Sequence, residues 1–160
     1  MNGGSHFPAT VSHPKPPKAA LLASADDVEA RFYEALQQGD IAAMMSVWAD
    51  DDDIVCVHPS GVREVGAAAI RASFEALFAG GGVPVEPDQV HRLQSLAAAV
   101  HHRTERVLVA RGQGVEQAWV LSTNVYLNTA QGWRLVVHHA SPGQPPAPEA
   151  PASDWPATLH

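Results

Sequence analysis

The chain has 160 residues, 46% hydrophobic and 17% charged, which suits a packed core of about one domain and excludes wholesale disorder. Ten Lys and Arg stand against 17 Asp and Glu, a formal net charge of -7, and this argues against nucleic acid as a partner because phosphate binding needs a basic face. No apolar run approaches the ~20 residues that span a bilayer, Met1 to Lys18 holds no signal-peptide core, and a single cysteine, Cys56, excludes an internal disulfide framework; the expectation is a cytoplasmic protein with no membrane partner.

Prolines crowd both ends: Pro8, Pro14, Pro16 and Pro17 at the start, and Pro145, Pro146, Pro148, Pro151 and Pro156 at the finish. Residues 1–20 and 143–160 therefore read as flexible tails flanking a folded unit over 21–142. Within that unit, Ser24 is an N-cap with Asp27 three residues on. Val28, Phe32, Ala35 and Leu36 follow at helical spacing, and Gly39 sits where a left-handed residue closes a helix. Asp40 caps a second helix with Ile41, Met44, Met45 and Trp48 on one face. The four carboxylates Asp50 to Asp53 end it, because they repel one another and oppose the helix dipole. A β-branched run, Ile54 to Val57, then turns through His58-Pro59-Ser60-Gly61. The third helix carries Ile70, Phe74, Leu77 and Phe78, and Gly80 to Gly82 stop it.

The second half reads as strands. Val90 to Leu96, Ala97 to Val109, Val115 to Asn128 and Trp133 to Ala140 are separated by turn signals, among them Gly112-Gln113-Gly114 and Thr129-Ala130-Gln131-Gly132. Helices first and a meander after suggest an α+β fold with helices covering one face of a curved antiparallel sheet.

Several phrases in this order carry a family resemblance: Ala35-Leu36-Gln37-Gln38-Gly39-Asp40 at the helix junction, Trp48-Ala49-Asp50-Asp51, Cys56-Val57-His58-Pro59, Gly66-Ala67-Ala68-Ala69-Ile70, and Gly132-Trp133-Arg134-Leu135-Val136-Val137-His138-His139-Ala140-Ser141-Pro142. Together they resemble the SnoaL-like branch of the nuclear transport factor 2-like superfamily, over roughly 25–142. The resemblance implies a cone, a bent antiparallel sheet wrapped around a helix layer (a cystatin-like roll), with a pocket at the open end. It also implies a homodimer paired through the outer sheet face. On that reading Trp119, Leu121, Val125 and Leu127 face the helices, while Val120 and Tyr126 face the partner subunit.

Ketosteroid isomerase, which shares this fold, uses a carboxylate base, an oxyanion-hole tyrosine and a protonated carboxylic acid. The matching positions here are His58, Phe32 and the neighbourhood of Thr123 and Asn124. Phenylalanine donates no hydrogen bond to an enolate, so that isomerase chemistry is not expected. His58 is the candidate catalytic residue, since imidazole titrates near neutral pH, and the alternative is that it only hydrogen-bonds its turn. Phe32, Trp48, Trp119, Leu121, Thr123 and His139 are the expected ligand-binding wall for a small, mostly apolar molecule. If the protein is an enzyme, it is a cofactor-independent isomerase, cyclase or hydrolase-like acid–base catalyst. The rival reading is a non-catalytic module for dimerisation or protein docking.

No metal and no cofactor are expected. Adjacent histidines on a strand, His101-His102 and His138-His139, point to opposite faces, so each pair offers one ligand per side. His91 can meet only one of the first pair across neighbouring strands, and zinc usually needs three or four protein ligands. Cys56, within an apolar run, reads as a buried, inert thiol.

Overall fold

The computed structural model describes residues 22–147, so the tail expected at 1–20, and the one at 143–160 beyond residue 147, lie outside the described residues. Helix α1 (Ala25–Gln38) starts where Ser24 Oγ accepts the Asp27 N–H at 3.1 Å and ends at Gly39, whose φ of 67° lets its N–H reach the Ala35 carbonyl. Asp40 caps α2 (Ile41–Ser46) by accepting the Ala43 N–H at 3.0 Å. This helix stops before Trp48. The Val47 carbonyl and the Ala49 N–H instead bond the backbone of Leu135, so the chain runs alongside the last strand.

A short hairpin follows, β1 (Val55–Val57) and β2 (Arg63–Val65), closed by the His58 N–H on the Val62 carbonyl. Helix α3 (Ala67–Phe78) crosses to a four-strand meander: β3 (Val85–Gln94), β4 (Ala98–Arg111), β5 (Gly114–Thr129) and β6 (Gly132–Pro142). The six strands form one curved sheet in the order β2-β1-β6-β5-β4-β3. The sheet is mixed rather than wholly antiparallel, because the fourth strand of the meander meets β1 running in the same direction, with Cys56 opposite His138. Strand β3 begins five residues earlier than the sequence suggested. Pro84 and Pro87 make that stretch look like a loop, but β3 is an edge strand and an edge tolerates a residue that cannot donate to the ladder.

The helices cover one face, and the core between the layers holds Val28, Phe32, Met44, Ile70, Phe74, Tyr126 and Leu135. Each large apolar side chain buried there contributes about 1.5–3 kcal/mol. The facing parity of β5 is the reverse of the one expected. Val120, Ser122, Asn124 and Tyr126 are buried, whereas Trp119, Leu121, Thr123 and Val125 are only partly buried and Leu127 is exposed. Register agrees: buried Ala99 and His101 on β4 lie opposite Tyr126 and Asn124. Both parities of this strand carry large apolar groups, so hydrophobicity alone does not choose a face.

Gly82 shows how closely the loop after α3 approaches α1. A Cβ built there would lie 1.8 Å from the Gln37 carbonyl oxygen, which is backbone and cannot step aside cheaply. Nothing lies within 4 Å of the corresponding position on Gly80. Gly82→Ala is expected to cost about 1–3 kcal/mol by overpacking, and Gly80→Ala less than about 0.5 kcal/mol. Urea denaturation of the two variants measures the difference, and equal losses would contradict the close approach.

Candidate functional site

Between the sheet and α3 the layers part to leave a cavity of about 580 Å³, within the range typical of small-molecule sites. Most of its wall is apolar. Phe32 and Leu36 come from α1, Phe74 and Leu77 from α3, Val83 from the loop before β3, Val85 from its first position, and Val107, Ala118, Val120 and Ala140 from the rest of the sheet. Four titratable groups interrupt that wall: His58 just after β1, Glu64 on β2, Glu105 on β4 and His138 on β6.

His58 is partly buried, its ring edge-on to Phe74 at 5.2 Å. Its Nε2 lies 3.0 Å from Ser73 Oγ, and that hydroxyl donates its own hydrogen to the Ile70 carbonyl at 2.8 Å. With that hydroxyl donating to Ile70, the serine oxygen accepts from Nε2–H, a tautomer that leaves Nδ1 with a lone pair and no partner among the described residues; Cys56 Sγ also lies 3.7 Å from Nε2. Burial lowers the affinity of His58 for a second proton, partly offset by the charge of Glu64. A neutral imidazole with an open lone pair is the form a general base requires.

Deeper in the wall, five buried side chains form one directed network. The Tyr33 hydroxyl donates to Glu105 Oε1 at 2.6 Å, and Ser122 Oγ donates to the same oxygen at 2.7 Å. Having used its single proton, the Tyr33 oxygen accepts from Asn124 Nδ2 at 3.3 Å. Asn124 Oδ1 is then turned to His138 Nδ1, 2.6 Å away, and that nitrogen must carry the proton. Burial acts on both ends of the chain. It raises the Glu105 carboxyl above the usual carboxylate range, opposed by the hydrogen bonds from Tyr33 and Ser122. It lowers His138 to about 3, helped by the nearby positive forms of His58 and His139. Both shifts favour the uncharged form, as a low-dielectric wall demands.

The catalytic candidate His58 lines this cavity, as does Phe32 of the residues expected to bind ligand. Trp48 does not: with α2 ending at Ser46 its side chain is buried beside β6. Trp119, Leu121, Thr123 and His139 lie on the parity opposite to the cavity-lining Val120, His138 and Ala140, and so belong to the outer face. Tyr33, Glu105 and Ser122 are not singled out by sequence; Asn124 is named there only beside an isomerase position and His138 only as half of a histidine pair. The readable signal was a pair of polar residues, Glu29 and Tyr33, four apart on the buried stripe of α1. The adjacent histidines do divide between faces: His101 and His138 are buried, His102 and His139 exposed, and His91 pairs in register with His102. Among the described residues no three His, Cys, Asp or Glu converge as a metal site, and no helix is long and apolar enough to cross a membrane. Cys56 is buried and its thiol is pushed up to about 12 by desolvation.

The family model for a SnoaL-like domain matches residues 26–145. Among solved structures, one described as a calcium/calmodulin-dependent protein kinase type II association domain from Thiobacillus denitrificans is 32% identical, with a TM-score of 0.69 over 78% of this chain and 98% of that one. A structure described as a dehydratase of the nuclear transport factor 2-like family from Streptomyces avermitilis is 27% identical, with a TM-score of 0.64 over 72% and 91%. A ketosteroid isomerase-like protein from Erwinia carotovora is 18% identical, with a TM-score of 0.61 over 81% and 98%, a likeness of fold. No curated protein sequence matches.

The buried imidazole makes stability depend on pH. Exposed on unfolding, the His138 ring takes up a proton below its ordinary 6.5, whereas in the native chain it refuses one down to about 3. Lowering the pH through that window draws the equilibrium toward the unfolded state, by up to about 1.4 kcal/mol per pH unit. Glu105 works in the opposite sense, since a raised carboxyl loses stability as pH climbs from the ordinary value through the folded one. His138→Gln is expected to flatten the acid-side fall in the denaturation midpoint between pH 6.5 and 3, and an unchanged slope would show that the ring titrates freely in the native state.

Proposed function

This chain belongs to the SnoaL-like domain family, and we propose that it binds a small, mostly apolar molecule in the cavity, where His58 performs acid–base chemistry. The observation that carries this reading is the cavity itself: about 580 Å³ of largely apolar space with an uncharged imidazole on its wall. A carbon acid held there meets His58 Nδ1 as base, with the Nε2–H anchored on Ser73 to hold the tautomer. The chemistry is not that of ketosteroid isomerase, because Phe32 stands at the tyrosine position and supplies no donor to a developing oxyanion. The similar dehydratase-named structure is compatible with proton abstraction next to an electron-withdrawing group.

The test uses tetralone, an apolar ketone of suitable size, and follows exchange of its α-hydrogens with deuterated water by NMR. The protein is expected to accelerate exchange over buffer. His58→Gln should slow the catalysed rate by about 10²–10⁴-fold, and Val120→Trp, which fills the cavity, should abolish it. Equal rates in buffer and protein, or an unaffected His58→Gln variant, would overturn the catalytic reading.

The functional unit on this proposal is a homodimer joined through the outer sheet face. That face carries Val55, Val57, Val100, Trp119, Leu121, Val125 and Val137, with Leu93 76% exposed and Leu127 41% exposed. A contiguous apolar sheet surface of this kind usually marks an interface, and one similar structure is named an association domain. Light scattering is expected to give twice the monomer mass, and Leu121→Arg with Val125→Glu should halve it. A monomeric wild-type protein would remove the dimer.

A further inference from the structure

The direction of the buried chain has a consequence for the molecule that fills the cavity. Tyr33 has one proton and gives it to Glu105, so every later bond in the chain is fixed in sense, ending with His138 Nδ1–H donating to Asn124. The other ring nitrogen of His138, Nε2, is thereby held as a bare acceptor, and it has no partner among the described residues. The ring lies against Phe32 at 4.8 Å between centroids and lines the cavity, so an occupant is what Nε2 can reach. At the other end, Glu105 Oε1 already accepts from Tyr33 and Ser122, which leaves Oε2 as the oxygen open to the same occupant.

We propose that the cavity selects an uncharged, mainly apolar molecule bearing a hydroxyl group, and that His138 Nε2 is the specificity-determining acceptor for that hydroxyl, with Asn124 as the positioning residue that fixes its tautomer. This rests on the small-molecule reading of the cavity and adds the group that the cavity recognises. His138 is distinct in role from His58. Burial keeps His138 neutral to about pH 3, too weak a base to take a proton at neutrality yet a constant hydrogen-bond acceptor. An anionic ligand finds no positive group on this wall: the cavity-lining residues include no Lys or Arg. A hydroxyl that enters gives up its water and regains one bond at Nε2; the same hydroxyl facing a hydrocarbon surface would regain none.

The experiment measures the affinities of naphthol and naphthalene for the full chain by fluorescence titration, in wild type and in His138→Phe. Naphthol is expected to bind about tenfold more weakly to the variant while naphthalene binds within about twofold of wild type, so that the affinity ratio changes about tenfold. A ratio unchanged by the substitution overturns the proposal and leaves the apolar cavity standing as a binding site. Failure of both compounds to bind wild type overturns this proposal together with the small-molecule reading, whereas binding of naphthalene without naphthol overturns this proposal alone. Nitrogen-15 NMR of wild type provides a check that does not depend on how the variant folds. The His138 Nε2 resonance is expected at the position of an unprotonated ring nitrogen and should move on adding naphthol but not naphthalene. A protonated Nε2, or equal shifts with both compounds, counts against the assignment.

Discussion

The placement of α1 on the sheet depends on a carboxylate buried far from water. Glu29 receives His101 Nδ1 at 2.5 Å and the Tyr126 hydroxyl at 2.8 Å on one oxygen, and an Arg103 guanidinium nitrogen on the other. Three donors from two strands converge on one residue of the helix. An ionised group at 3% exposure persists only with such partners, since removing one typically costs several kcal/mol. The arrangement fixes both the height and the rotation of α1. Residues four apart share a helix face, so once Glu29 is anchored, Tyr33 is delivered to the same side one turn later. On β4, residues two apart share a face, so the strand that offers His101 and Arg103 also offers Glu105. The spacing of the helix and the spacing of the strand meet, and the Tyr33–Glu105 bond follows from the Glu29 cluster.

That geometry divides the interior in two. Beneath the Glu29 end the layers close on Val28, Met44, Tyr126 and Leu135. Beyond Tyr33 they diverge, and the space between the sheet and α3 becomes the cavity. The same low-dielectric surroundings act on Glu105, His58 and His138 at the boundary, with opposite results for acid and bases. Glu105 holds a proton more tightly than an exposed carboxyl, while His58 and His138 hold one less tightly than an exposed imidazole. Burial thus disfavours charge on these three groups, which suits an occupant that is itself mostly apolar.

The local features were legible because their causes are local. Ser24, Gly39 and Asp40 terminate helices by bonding backbone groups within a few residues, and the sequence shows both partners. The apolar stripe of α3 and the turn glycines before β5 and β6 belong to the same kind. His58 was legible as well, since its position follows directly from a short strand and a Pro-Ser-Gly turn. The facing of β5 was not. Trp119, Val120, Leu121, Val125, Tyr126 and Leu127 offer apolar bulk on both sides, and the usual rule of apolar inside and polar outside points the wrong way. Ser122 and Asn124 turn inward because their partners, Glu105, Tyr33 and His138, lie far away in sequence. Apolar parity places Trp119 and Leu121 toward the pocket, and the isomerase comparison points to Thr123; the buried polar chain sends these, and His139 opposite Thr123, to the other face. Trp48 failed for a different reason: helical spacing continued in the sequence after backbone bonds to Leu135 had already drawn the chain out of the helix.

A polar chain inside a core is costly unless each group finds a partner. Along this one, every interior group is satisfied: the Tyr33 hydroxyl, both ends of the Asn124 amide, Ser122 Oγ, Glu105 Oε1 and His138 Nδ1. What is left over lies only at its two ends, Glu105 Oε2 and His138 Nε2, and both residues line the cavity. The Glu29 cluster leaves His101 Nε2 and Arg103 Nε buried without a partner among the described residues. The Tyr33 chain stops at groups that still have hydrogen-bonding capacity, on residues that line the apolar cavity, where an occupant can supply the missing partner. The anchoring cluster and the cavity-lining chain share a helix and a strand and both leave polar atoms over, but those of the second belong to residues on the wall of the apolar cavity of about 580 Å³, and that placement suits the recognition of an occupant.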